Sequence, residues 1–162
     1  MNKKGFTLIE LLAVIILVAL IGVLVMPTVI NTTNQTKQKS YDILIKNIVT
    51  SAQTYYEECE YGDLSNNTKY GSYACNINNN TITITLGTLA NTGFLSVKDV
   101  DSNNKKKVLN PKNNYDISEC NITITKTKNE VTDENGIKNN KVTYTITAGT
   151  QNNCPTTEEY KK

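Results

Sequence analysis

The chain has 162 residues, enough for one domain with a modest core. Its 17 basic residues are all Lys and meet 15 acidic ones, for a net charge of +2. With no Arg, no His and no basic stripe interleaved with aromatics, the composition argues against a nucleic-acid footprint, bidentate phosphate recognition and His-based catalysis or metal binding.

The chain opens Met1-Asn2-Lys3-Lys4-Gly5 and continues Phe6-Thr7-Leu8-Ile9-Glu10. From Phe6 to Met26 nearly every residue is apolar, and Glu10 is the sole charge. As a helix this run spans about 30 Å, the thickness of a bilayer core. Lys3 and Lys4 keep their end cytoplasmic and send the rest outward. A secretory signal peptide would share the basic start, but the run is too long and no small-x-small cleavage site follows. A plain membrane anchor explains the apolar run but not the carboxylate, which at membrane depth needs a partner.

Gly5-Phe6-Thr7-Leu8-Ile9-Glu10-Leu11-Leu12 resembles the prepilin signature of type IV pilins and pseudopilins. The likeness covers the first thirty or so residues and implies a five-residue leader. A membrane prepilin peptidase would then cut between Gly5 and Phe6 and methylate the new Phe6 amine. The resemblance also implies that the Glu10 carboxylate meets the Phe6 amine of a neighbouring subunit in a filament. Such pairing joins two costly buried charges and sets the axial step, as a polar residue sets register in a coiled coil. Gly22 and Pro27 are expected to break the helix; Pro27 falls where the pilin helix proline lies, and in a filament this stretch would melt.

After Pro27 the chain turns polar, and a helical period follows. Tyr41, Leu44, Ile45, Ile48, Val49, Ala52, Tyr55 and Cys59 recur at steps of three and four, drawing one apolar stripe. The helix is predicted to run with bends from Phe6 to about Glu58. Strict alternation marks strands at Thr81–Leu86, Asn121–Thr125 and Val142–Thr147, with Ile, Leu, Val or Tyr on one face and Thr on the other. Asp133-Glu134-Asn135-Gly136 reads as the turn of a long-looped hairpin. A short helix ended by Gly93 is expected between Leu86 and Leu95, and Asn-rich loops at 63–80 and 101–114 should be exposed. Leu89–Leu95 followed by Asn110-Pro111 resembles a pattern of pilins from Gram-positive bacteria.

Cys59, Cys75, Cys120 and Cys154 all follow the apolar run, and none forms a Cys-x-x-Cys pair. In a head outside the cell they suggest two disulfides. Cys59–Cys75 with Cys120–Cys154 is the favoured connectivity because each bond closes a contiguous segment. Asp99-x-Asp101-x-Asn103 opens like a calcium loop but lacks the Gly and Glu that an EF-hand needs, so no metal is assigned. Lys105-Lys106-Lys107 reads as a solvated loop. No nucleophile–base pair is visible, so neither an enzyme nor a cofactor is expected.

The expectation is an α+β protein in three parts. They are a leader (1–5), a membrane and filament-core helix (6–30) and an extracellular head (31–162) in which an amphipathic helix (31–58) packs on a small antiparallel sheet. The resemblance implies a structural type IV pilus subunit, with Glu10 favouring the shaft over the tip. Its partners would be further copies of itself in a helical filament, prepilin peptidase, an assembly platform protein and ATPase, and the cytoplasmic membrane. The alternatives are a competence pseudopilin for DNA uptake, the one role with a nucleic-acid partner, a secretion-system pseudopilin, or a monomeric membrane-anchored surface protein.

Overall fold

The computed structural model describes residues 7–61, 75–132, 134 and 138–161, and of residues 24–27 only the helical backbone. The first element is α1, Leu8–Glu60. Two short elements follow, β1 (Thr81–Thr85) and α2 (Leu86–Asn91). Then come β2 (Asn121–Thr132), β3 (Lys138–Ala148) and the C-terminal turn of helix α3 (Thr157–Tyr160). The sheet is antiparallel with three strands in the order β1-β2-β3. A long helix with a small antiparallel sheet is the expected α+β arrangement.

The chain divides into two compact units, residues 1–39 and 40–162. In the first, the large apolar side chains from Leu8 to Val23 are 48% to 84% exposed and point in every direction round the helix. The helix runs on past Gly22 and Pro27, and its axis turns by 42° between Val23 and Thr28. No single described helix is long and apolar enough to cross a membrane; the two stretches on either side of this turn reach that length and composition only when taken together.

In the second unit the predicted apolar stripe is buried. Tyr41, Ile45, Ile48, Ala52, Tyr55 and Cys59 are all under 9% exposed, while Leu44 and Val49 pack at the margin. They share a core with Ile82 and Ile84 of β1, Ile122 and Ile124 of β2, and Ile146 of β3. The period of two places these isoleucines on one face of the sheet and threonines on the other. There Thr81 meets Thr125 at 3.2 Å and Thr83 meets Thr123 at 2.9 Å, hydroxyl to hydroxyl across the strands. Tyr55 lies edge-on to Phe94 at 5.5 Å, and Ser51 donates to the Phe94 carbonyl at 2.8 Å, tying α1 to the segment after α2.

As expected, α2 is a short helix; Thr85 caps it, accepting from the Thr88 N–H at 3.0 Å, and Gly93 follows it at φ +88°. Two expectations need correction, and one element had no expectation. The hairpin is not long-looped: β2 and β3 stay paired from Ile122–Ala148 out to Thr132–Lys138, well beyond the strands predicted from alternation. Past Lys126 β2 pairs, among the described residues, with β3 alone, and its side chains there are exposed, so no apolar alternation marks it. The loop at 101–114 is not wholly exposed either, because Val108 and Asn110 are buried, 0% and 7% exposed. Finally, α3 went unpredicted because a single helical turn is too short to show a period. Of the loop expected at 63–80, residues 63–74 lie outside the described residues.

Candidate assembly site at the helix N-terminus

Gly5 and Phe6, the expected cleavage and methylation site, lie outside the described residues. Glu10 lies within them, and its carboxylate has a specific setting. The Thr7 backbone N–H donates to Glu10 Oε2 at 2.8 Å, and the Thr7 hydroxyl donates to the same oxygen at 2.9 Å. The Glu10 N–H in turn reaches the Thr7 carbonyl at 3.1 Å and the Thr7 hydroxyl at 3.4 Å. This is a capping box: the residue just before the helix and the third residue inside it satisfy each other's free N–H groups. A carboxylate here also faces the positive end of the helix dipole. The sequence reading treated Glu10 as a charge awaiting a neighbour and overlooked this role. Its signal was present in Thr7-Leu8-Ile9-Glu10, the Thr-x-x-Glu pattern ahead of an apolar run.

A family model described as the prokaryotic N-terminal methylation motif matches residues 1–26. The match supports the resemblance of this N-terminus to those of type IV pilins and pseudopilins. No curated protein and no solved structure matches the chain. The matched stretch contains the capped helix start and most of the uncovered apolar helix, so the pilin signature and the uncovered surface coincide.

The other predicted residues lie in the second unit. Cys59 is joined to Cys75 and Cys120 to Cys154, with Cα separations of 5.3 Å and 5.6 Å, both within the disulfide range. The first bond ties the end of α1 to the segment leading into β1. The second ties the start of β2 to the approach to α3. Near Cys59, Lys126 is 8% exposed and forms an ion pair with Glu60, its ammonium 6.0 Å from the Tyr56 and Tyr144 rings. The Tyr144 hydroxyl donates to Glu57 Oε1 at 2.9 Å. Burial, with the bond to Glu57 adding to it, pushes the Tyr144 phenol up to about 12. Sequence reasoning found neither partner, because Lys126 looks like any strand lysine until the fold sets it against α1.

The loop that opens like a calcium site is closed on itself. Asp101 Oδ1 accepts from the N–H groups of Asn103 and Lys105, both at 2.8 Å. No group of three or more His, Cys, Asp or Glu suited to a metal occurs among the described residues. Lys107 lies 3.8 Å from Asp116 on the surface, a pair of small energetic weight.

Proposed function

We propose that the chain is a structural subunit of a type IV pilus filament. The precursor sits in the cytoplasmic membrane through its helix at 6–30, with the head outside. Prepilin peptidase cuts between Gly5 and Phe6 and methylates the Phe6 amine. An assembly platform protein and its ATPase then lift the subunit into an extracellular filament of like copies. In packing, the stretch holding Gly22 and Pro27 loosens. The observation that carries this reading is an apolar helix with no cover of its own, starting at a capped carboxylate inside the matched methylation motif.

Glu10 has two tasks in this scheme. In the lone subunit it caps its own helix, which tempers the cost of a charge in the membrane. In the filament it accepts the amine of a neighbour's Phe6 and turns two buried charges into a pair. The amine exists only after cleavage, so docking waits for processing. Glu10→Ala is expected to insert and to be cut, because the membrane run and cleavage signal remain, yet to leave few or no filaments. Glu10→Gln keeps an acceptor without the charge, so partial assembly would assign part of the effect to hydrogen bonding. Filaments are counted by electron microscopy of sheared cells with membrane levels matched by blotting. Wild-type numbers from Glu10→Ala would sink the pairing. Normal processing with DNA uptake or protein secretion, but no surface filament, would move the chain to the pseudopilins.

A further inference from the structure

β1 covers β2 only as far as Thr125. The last link on that side among the described residues is the Lys126 N–H, which donates to the Asn80 carbonyl at 2.9 Å. There the preceding chain turns away. Asn78 and Thr81 bond each other's backbones at 2.9 Å, with Asn79 and Asn80 between them at φ 49° and 59°. β2 itself continues to Thr132, paired with β3 alone among the described residues. In an antiparallel strand the backbone groups of successive residues point to opposite neighbours. Lys126 points its N–H toward β1, so Lys128, Glu130 and Thr132 point theirs to the same side, where no strand lies among the described residues. Such an edge accepts a further strand unless its side chains repel one.

The side chains on this edge complement a second copy of themselves. Lys128 and Glu130 lie on one face of β2, and Thr127, Asn129 and Val131 on the other; all are exposed. When two copies of the segment lie antiparallel with Asn129 opposite Asn129, Lys128 of each stands opposite Glu130 of the other, and Thr127 opposite Val131. Lys128 and Glu130 both point their backbone groups outward, so in this register they exchange N–H···O bonds across the contact. Sliding one strand by two residues either way sets Lys128 opposite Lys128 or Glu130 opposite Glu130, and like charges directly opposite oppose pairing. Charge therefore selects one register. Glu130 also lies 3.4 Å from Lys138, but the two side chains are 68% and 74% exposed, and so solvated a pair holds Glu130 only weakly.

We propose that the outer edge of β2, residues 127–131, pairs antiparallel with the same edge of a second copy of this chain, joining the two sheets about a two-fold axis at Asn129. The occupant is a second copy because the charges match only in that arrangement, and a two-fold contact needs a surface that complements itself. The contact uses residues of the second unit alone and does not depend on the filament reading. The edge is short and its charges are solvated, so the pairing is weak and transient and is best read by trapping it.

The test is made in cells producing the full chain. In the paired register Asn129 and its copy form a non-hydrogen-bonded pair, with Cα atoms about 4.5 Å apart and within disulfide range. Asn129→Cys should therefore give a dimer when the cells meet a mild oxidant, with the crosslink mapped to position 129 in both copies. Thr127→Cys lies on the same face and edge but at least about 13 Å from its copy, so it should stay monomeric. Added to Asn129→Cys, either Lys128→Glu or Glu130→Lys should cut the dimer yield by at least about fivefold, because like charges then face each other. The two reversals together set opposite charges face to face again and should restore the dimer. No dimer from Asn129→Cys at matched chain levels, equal dimer from Thr127→Cys, or full yield after each single reversal would overturn the pairing.

Discussion

At the scale of the residue, chemistry concentrates where a small number of side chains leave no alternative. Gly5 is expected to be needed for cutting because a peptidase closing on a membrane-bound chain has little room for a side chain there. Gly5→Val, produced with its cognate peptidase, should keep its first five residues by mass spectrometry; efficient removal would contradict the assignment. Asn has a different role in the head. Asn79, Asn80, Asn104, Asn114 and Asn153 all have positive φ, between 49° and 64°. Asn tolerates this left-handed region better than other side-chain-bearing residues. Much of the Asn richness of the loops therefore matches the turns they make.

At the scale of the element, the disulfides and the hairpin divide the head into firm and loose parts. The bonds Cys59–Cys75 and Cys120–Cys154 span sequence separations of 16 and 34. In the chain-entropy model each contributes roughly 3–4 kcal/mol, more for the longer loop. Non-reducing peptide mapping should recover these two crosslinked peptides, and reduction should lower the denaturation midpoint; a Cys59–Cys154 peptide would disprove the connectivity. The hairpin should show graded protection. Ile122 and Ile124 are fully buried between β1 and β3, whereas Thr127–Thr132 pairs, among the described residues, only with β3 and is exposed on both faces. Amide hydrogen exchange should therefore be slow at Ile122–Thr125 and much faster at Asn129–Thr132. Uniform protection along β2 would show that something else covers the outer half.

At the scale of the whole molecule, the C-terminus closes the head against α1. Tyr160 is 6% exposed within the core that holds Tyr41 and Ile45. Thr156 donates its N–H to Glu159 Oε2 at 2.8 Å, Lys112 lies 3.7 Å from Glu159, and the Lys112 ammonium sits 3.7 Å above the Tyr41 ring. Burial pushes the Glu159 carboxyl up, but hydrogen bonds from Thr156 and the Tyr41 hydroxyl, together with Lys112, outweigh it and hold the group below its ordinary value. The unfolded chain then binds this proton more readily than the folded one. The linked stability is present above the ordinary carboxylate range and is lost as pH falls through the lowered value. Asp116 acts in the same direction: burial raises it, while Ser118 and Lys107 lower it further. Thermal unfolding of the head should therefore begin at lower temperature as pH drops below about 4.5. Glu159→Gln should weaken that dependence, and an unchanged slope would remove Glu159 from the account.

How much of this was legible in the sequence follows from range. Local patterns carry the methylation motif, the apolar run, the buried stripe from Tyr41 to Cys59 and the alternating cores of all three strands, because each depends on residues one or two turns apart. The connectivity of four cysteines was also within reach, since each bond closes a contiguous segment. The Thr7–Glu10 box was equally local and was overlooked only because the carboxylate suggested a distant partner. Tertiary structure alone decided that Lys126 is buried against Glu60 and the rings of Tyr56 and Tyr144. It also decided that Val108 and Asn110 leave their loop for the interior, that the hairpin outruns its apolar alternation, and that Tyr160 closes the core beside Tyr41. In the hairpin the outer pairs are close in the chain but exposed on both faces, so no apolar alternation marks them; in the other cases the partners are far apart in the chain, and a polar or isolated residue has no period from which its burial can be read.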